Sequence, residues 1–187
     1  HEIAAIIIEP IPANNGLLLQ RKEFLQYLRE ISKEYGTLLI FDEVISGFRV
    51  GFSGAAGLYE IQPDILTFGK IIDGGMPVGA YGASQEIMEN ISPLGRVYQA
   101  GTLSGNPVAM AAGIAQLSRC LEDGFYEKLS ENTQTFLDII KNHIQSKGYS
   151  IQLFSIGSIF WIAFSELKQI RSADQIDADS MKYFKEL

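Results

Sequence analysis

The 187-residue chain contains 47% hydrophobic and 20% charged residues, and its formal net charge is −7. This composition supports a packed core and excludes wholesale disorder, and the acidic balance argues against unspecific binding to nucleic acid or to acidic membrane surfaces. The single cysteine excludes an intrachain disulfide and a cysteine-based zinc site. No apolar run reaches the length of about 20 residues that a membrane span needs, and no secretory signal opens the chain. We therefore expect a soluble, cytoplasmic protein without a metal site.

The first half of the chain predicts an α/β fold. Residues 3–8 (IAAIII) and 37–41 (TLLIF) are continuous apolar runs, typical of fully buried strands. Between them, residues 21–35 carry apolar side chains at helical spacing and end at Gly36. Further short strands are predicted over 64–68 and 78–83. Apolar strands joined by a helix predict a mostly parallel sheet with helices on both faces.

The second half predicts helices followed by a smaller unit. Helices are expected over 108–121 and 125–146, strands over 151–154 and 158–164, and a last helix over 174–187. We place residues 1–148 in part of a large domain and residues 149–187 at the start of a smaller α+β domain. Both ends of the chain fall inside predicted elements, so we expect the chain to be a fragment of a longer protein.

Polar residues follow the first three predicted strands. Asn14, Asp42 and Lys70 come after strands one, two and three, and ligands of doubly wound sheets bind at the carboxyl ends of the strands. Pyridoxal phosphate (PLP) needs such a pair, because a lysine holds it as a Schiff base and a carboxylate pairs its pyridinium nitrogen. A turn-forming aspartate and a solvated surface lysine explain the same residues, and on spacing alone both interpretations stay open.

The string LLIFDE is also typical of a magnesium-binding strand of an NTPase, with Asp42 and Glu43 as the acid pair. The phosphate loop of such a protein reads G-x-x-x-x-G-K-[ST]. Here Gly69 and Lys70 are followed by Ile71, and Asp64 stands where the first glycine belongs. The NTPase hypothesis therefore requires a phosphate loop outside this chain. A dinucleotide site is not supported, because no G-x-G-x-x-G occurs.

A glycine-containing loop precedes the helix predicted over 108–121. The backbone N–H groups of residues 101–107 and the Thr102 hydroxyl could bind a phosphate at the helix N-terminus. Alternatively, Asn106 or Ser104 caps the helix and Pro107 occupies its first position. Local sequence favours neither interpretation.

Three strings together resemble the class III, fold-type I, PLP-dependent aminotransferases. They are LLIFDEVISGFRV (38–50), PDILTFGKIIDGGMPVGAYG (63–82) and YQAGTLSGNPVAMAAG (98–113), and the likeness extends over about residues 3–165. Within that family, residues 47–50 and 102–104 follow the form of the aminomutases, which move an amine within one amino-aldehyde. The resemblance implies an intramolecular amine transfer; ordinary transamination between an amino donor and a keto or aldehyde acceptor is the alternative.

The resemblance also implies roles for single residues. Lys70 would bind PLP as a Schiff base and move the proton, and Asp42 would pair the pyridinium nitrogen. Val44 would pack against one face of the ring. Asn14 would lie near the ring 3-hydroxyl, although Ala13 replaces the glycine often found before it. Thr102 would contact the phosphate of the neighbouring subunit's cofactor.

These roles carry further expectations. The enzyme would be a homodimer with an intersubunit cofactor contact, and its cycle would include the pyridoxamine phosphate form. The partners would be a small amino-aldehyde, with no nucleic acid and no membrane. The phosphate cup, the aromatic residue on the other ring face, the substrate-carboxylate arginine and the C-terminal gate would belong to segments outside this chain.

Overall fold

A four-stranded sheet organises the first half of the molecule, which is represented by a computed structural model that describes residues 2–177 and 179–184. Its strands lie in the order β1-β2-β3-β4, with the first three parallel and the last antiparallel. They span Ala5–Ile8 (β1), Leu38–Asp42 (β2), Ile65–Phe68 (β3) and Ala80–Ala83 (β4). The predicted α/β class with a mostly parallel sheet is confirmed.

Helices alternate with and follow these strands. The structure contains α1 (Lys22–Tyr35), α2 (Gly54–Tyr59), α3 (Gln85–Met88), α4 (Pro107–Cys120), α5 (Phe125–Lys147) and α6 (Ser180–Phe184). A 3-10 helix over Lys70–Asp73 follows β3. The three long helices lie within two residues of the bounds predicted from the sequence. The short helices α2 and α3 were not predicted.

The main core lies on one face of the sheet. Leu25 of α1, Leu39 and Phe41 of β2, and Ile61 after α2 form a buried cluster. On the opposite face Ile7 is 64% exposed. The described helices α1 and α2 therefore cover one face, and the helices expected on the second face remain a prediction.

An ion pair ties α1 to the beginning of β3. The Arg29 guanidinium donates to the Asp64 carboxylate at 2.9 Å and to the Gln62 carbonyl at 3.1 Å. The Leu39 N–H donates to the same Asp64 oxygen at 2.7 Å. These contacts lie at the amino ends of the strands, opposite to the edge where the sequence predicts the site.

A separate hairpin follows the helices. Strands β5 (Ile151–Ile156) and β6 (Ile159–Phe164) pair antiparallel. Trp161 of β6 stacks on Phe154 and packs with Leu17 and Ile11 of the loop after β1. The hairpin thus forms its own sheet but shares a core with the first half, and the domain boundary near residue 148 remains a prediction.

Of the helix predicted over 174–187, the described residues confirm only Ser180–Phe184. A 3-10 helix over Ala173–Gln175 ends at Ile176, whose backbone is extended, and α6 begins at Ser180. Ile176 packs against the cluster of Leu18, Ala163 and Ile170, and its extended backbone interrupts the helix. Residues 185–187 lie outside the described part. Among the described residues, no helix is long and apolar enough to cross a membrane.

Candidate active site

Asp42 ends β2 at the carboxyl edge of the sheet. Its side chain is half-buried, and its Oδ1 accepts hydrogen bonds from the Val44 N–H at 3.0 Å and from the Thr67 hydroxyl at 3.3 Å. The carboxylate is therefore held by the turn that follows it and by the neighbouring strand. None of the hydrogen bonds within the described residues uses Oδ2, so this oxygen is available to a ligand.

Thr67 was not among the predicted site residues. The parallel register pairs Asp42 with Thr67, so both side chains leave the same face of the sheet. The signal in the sequence was a hydroxyl residue inside the otherwise apolar strand DILTF. Recognising it required the strand register, which the sequence did not provide.

Glu43, the next residue, points to the opposite face and is only 1% exposed. Its carboxylate accepts hydrogen bonds from the N–H groups of Ala55 at 2.6 Å and Ala56 at 2.8 Å, and from the Ser46 hydroxyl at 3.0 Å. These bonds cap the first turn of α2. Both carboxylate oxygens of Glu43 are therefore hydrogen-bonded inside the protein, which argues against Glu43 as the second acid of the NTPase hypothesis.

Lys70 follows β3 directly at the same carboxyl edge. Its backbone is left-handed, with φ of 50°, and its side chain is exposed. Lysine adopts this conformation rarely, and such local strain clusters at functional sites. Lys70 takes part in none of the ion pairs between the described residues. Its amine is therefore available for chemistry.

Helix α4 supports the segment that carries Lys70. The helix packs on the 3-10 helix Lys70–Asp73, and a Cβ built on Gly113 would lie 2.6 Å from the Ile72 carbonyl oxygen. A Cβ on Gly74 would lie 2.6 Å from the Ala112 carbonyl oxygen. The small residues of α4 thus allow a close backbone contact directly behind Lys70.

Val44 connects the Asp42 and Lys70 segments. A Cβ placed on the buried Gly69 would lie 3.3 Å from Cγ1 of Val44, so the valine side chain packs directly on the backbone that precedes Lys70. The structure therefore brings together Asp42, Val44 and Lys70 at the ends of two adjacent parallel strands.

Asn14 lies in the loop after β1, at the same edge. It is exposed, and its Nδ2 donates to Oε1 of Glu9 at 3.3 Å. Asn14 also lines a cavity of about 610 Å³ together with Trp161 and Ser180. No hydrogen bond within the described residues joins Asn14 to Asp42 or Lys70.

Thr102 is exposed in the loop that precedes α4. Of the two interpretations of this loop, the structure favours the cap, because the Ala109 N–H donates to Oδ1 of Asn106 at 2.9 Å and Pro107 is the first helical residue. Thr102 makes no hydrogen bond with the other predicted site residues among those described. Its predicted role toward a neighbouring subunit remains a prediction.

The Asp42 and Lys70 side chains fit PLP. A free carboxylate oxygen on Asp42 suits the protonated pyridine nitrogen, and an unpaired lysine amine suits the aldehyde. No group of three or more histidine, cysteine, aspartate or glutamate side chains within the described ranges 2–177 and 179–184 could hold a metal ion. The Lys70 amine and the Asp42 carboxylate are the groups that a carbonyl cofactor with a pyridine ring requires.

Relatives of known function agree with this interpretation. The glutamate-1-semialdehyde 2,1-aminomutase of Bdellovibrio bacteriovorus is 48% identical over 100% of this chain, and the chain spans 44% of its length. An ω-transaminase structure from Sphaerobacter thermophilus superposes with a TM-score of 0.85 at 34% identity, covering 96% of this chain and 41% of that chain. A transaminase structure with PLP bound gives a TM-score of 0.80 at 33% identity, covering 87% of this chain and 38% of that chain.

The family model of class-III aminotransferases matches residues 1–175, which is nearly the whole chain. This match, the shared fold and the lysine and aspartate at the carboxyl edge of the sheet agree with one another. The chain belongs to the class-III aminotransferase family.

Proposed function

We propose that this chain forms part of the active site of a PLP-dependent aminotransferase-type enzyme, with Lys70 and Asp42 as its catalytic residues. The observation that carries the proposal is the packing of Val44 on Gly69, because it joins the Asp42 and Lys70 segments at one edge of the sheet. PLP, when bound, supplies the electron sink that amine transfer needs.

Each of the candidate site residues has a defined task in the proposal. The Lys70 amine would hold the cofactor through its aldehyde and would move the proton between the cofactor carbon and the substrate carbon. The Asp42 carboxylate is fixed by the Val44 N–H and the Thr67 hydroxyl, and its other oxygen would pair the pyridine nitrogen and keep that nitrogen protonated. Val44 would pack against one face of the ring, and Asn14 would lie near the ring 3-hydroxyl.

We propose glutamate-1-semialdehyde as the substrate and 5-aminolevulinate, a precursor of tetrapyrroles, as the product. Three curated relatives that are 46–48% identical over nearly the whole chain share the name of that aminomutase. The enzyme would give the amine of pyridoxamine phosphate to the substrate aldehyde and recover the other amine from the same molecule, so it would consume no second keto acid.

An ordinary class-III transaminase is the second candidate. One observation favours it: the ω-transaminase structure superposes better, at 34% identity, than an aminomutase structure from Pseudomonas aeruginosa PAO1, which is 25% identical with a TM-score of 0.78. Such an enzyme would pass the amine to a separate keto or aldehyde acceptor.

We further propose a cytoplasmic homodimer in which Thr102 contacts the phosphate of the partner's cofactor. Thr102 and nearby apolar side chains, such as Leu103 and Val108, are exposed in the single chain. Exposed apolar side chains of this kind support a surface that a partner subunit covers. Sedimentation of the intact holoenzyme tests the dimer. A Thr102→Val variant, which keeps the shape, should weaken PLP binding in the dimer.

Borohydride reduction of the intact PLP-loaded enzyme tests the central assignment. We expect the reduced cofactor on Lys70, identified by peptide mass spectrometry. Lys70→Ala should abolish both the label and nearly all turnover, because no other residue of the site supplies the amine. Lys33→Ala, at an exposed lysine on α1, is the matched control and should leave both unchanged. A label on another lysine would contradict the proposal.

A second assay separates the two candidate activities. Intact enzyme in the pyridoxamine phosphate form is given glutamate-1-semialdehyde with no other amino donor or acceptor. Multiple turnovers to 5-aminolevulinate support the aminomutase. A single turnover that resumes only when an amino donor is added supports the ordinary transaminase.

A further inference from the structure

The carboxylate of Glu9, one residue beyond β1, has no role in the site described so far. Its Oε2 is buried and has no hydrogen-bond partner among the described residues. Its other oxygen, Oε1, accepts from Nδ2 of Asn14 at 3.3 Å. Burying a carboxylate oxygen without a partner costs free energy, so the position of this side chain calls for an explanation.

The strand register places Glu9 beside the candidate site. β1 pairs Ile8 with Phe41, so Glu9 follows at the level of Asp42. Ile8 and Phe41 both pack in the core cluster on one face. Because side chains alternate along extended chains, Glu9 and Asp42 are directed to the other face, and Thr67 continues the same row.

The contact with Asn14 fixes the orientation of an amide. An ionised carboxylate only accepts hydrogen bonds, so it selects the NH2 end of the asparagine and rejects its carbonyl oxygen. Glu9 forms no ion pair within the described part of the chain, so no cationic side chain there competes with Asn14 for its carboxylate. The second N–H of Asn14 then remains as a donor for a ligand.

We propose that Glu9 is a positioning residue of the cofactor site: it holds the Asn14 amide so that an N–H, rather than the carbonyl oxygen, is directed at the ring 3-oxygen. The inference rests on the proposed function, in which Asn14 contacts that oxygen. Glu9 acts through Asn14 and does not itself touch the reacting atoms.

The visible absorbance of the lysine-bound cofactor tests the inference independently of turnover. A donor to the 3-oxygen stabilises that oxygen most when the Schiff-base nitrogen has lost its proton, so loss of the donor raises the pH midpoint of the spectral change. Glu9→Gln lets the side chain present an NH2 group to Asn14 and removes the orienting charge. We expect Glu9→Gln and Asn14→Ala each to raise the midpoint by about 0.5 to 1 pH unit.

The double variant decides whether the two residues act together. Because Glu9 works through Asn14, Glu9→Gln should add no further shift in the Asn14→Ala background. Glu34→Gln, at an exposed glutamate on α1, is the matched control and should leave the midpoint unchanged. Glu9→Asp, which keeps the charge but withdraws it from Asn14, should shift the midpoint as Glu9→Gln does and serves if Glu9→Gln does not fold.

The outcomes separate this inference from the proposed function. If borohydride labels Lys70 but neither Glu9→Gln nor Glu9→Asp shifts the pH midpoint of the spectral change, the positioning role alone is overturned. Independent, additive shifts in the double variant would also overturn it. Failure to label Lys70 in the unmodified enzyme would overturn the proposed function and this inference with it.

Discussion

The two faces of the parallel sheet use the same strands for different purposes. On the face covered by α1 and α2, Leu39, Phe41 and Glu43 are buried and every Glu43 oxygen is hydrogen-bonded inside the protein. On the other face, Asp42 keeps one oxygen free and Ile7 is 64% exposed. Adjacent carboxylates in one Asp-Glu pair thus differ in role because successive residues of a strand face opposite sides. One stabilises the fold, and the other is available to a ligand.

Among changes on the face that carries Asp42, Asp42→Asn should have the largest effect on turnover. The variant keeps the acceptor for Val44 and Thr67 but loses the charge that, in the proposed function, holds the pyridine nitrogen protonated. We expect turnover to fall about 100- to 1,000-fold, the usual cost of removing one essential electrostatic partner, with the free energy of unfolding changed by less than about 1 kcal/mol. Steady-state kinetics and urea unfolding measure the two quantities. Near-normal turnover would reduce Asp42 to a turn-forming role.

Glu43→Gln should show the reverse pattern on the covered face. The amide NH2 group meets one of the N–H donors of Ala55 and Ala56, so a buried hydrogen bond is replaced by a repulsive contact. We expect the free energy of unfolding to fall by about 2 kcal/mol while kcat of the folded enzyme stays within about threefold. Urea unfolding of Glu43→Gln and of the exposed control Glu34→Gln measures this. A large loss of kcat at full stability would move Glu43 into the active site and break the contrast between the faces.

Of the three changes, Asp64→Asn should have the smallest effect. We expect it to lower the free energy of unfolding slightly, by an amount that depends on pH. Burial opposes ionisation of Asp64, but hydrogen bonds from Arg29 and the Leu39 N–H, with the charges of Arg29 and Lys33, outweigh it and hold the pKa of this carboxyl below its usual value. A lowered pKa stabilises the folded state above about pH 4, and that contribution is lost as pH falls through the folded pKa.

We therefore expect the stability difference between the unmodified protein and Asp64→Asn to be on the order of 1 kcal/mol or less at pH 6 and smaller still at pH 3. Urea midpoints at the two pH values measure it. A difference that grows on acidification would mean that the ion pair with Arg29 does not stabilise the ionised form.

The sheet and the positions of Asp42 and Lys70 at its carboxyl edge could be predicted because they depend on local sequence. Continuous apolar runs define β1 and β2, and the residues that follow such strands meet at one edge, which located Asp42 and Lys70. The hydrogen bonds of Glu43 and Thr67 could not be predicted. The first connects residues 12 positions apart, and the second depends on the register between two strands.

Helix α2 could not be predicted for the same reason, since a contact between residues far apart in the sequence stabilises it. The sequence of α2, GAAGLY, contains two glycines and has weak helical propensity. The Glu43 carboxylate stabilises its first turn from a distant part of the sequence. The interruption at Ile176 likewise arises from packing against Leu18 and Ala163, which no local pattern reveals.

The contact of α4 with the segment that follows β3 and begins at Lys70 has a consequence for protein engineering. The helix has 14 residues, so it is a rod about 21 Å long that begins just after the Thr102 loop and is seated, through Gly113, on the Ile72 carbonyl. A side chain larger than hydrogen at Gly113 leaves the rod no room without displacing the backbone that carries the lysine. A displacement of the loop at the start of α4 will therefore also shift the segment that carries Lys70, so the loop and the Gly113 contact must be optimised as one unit.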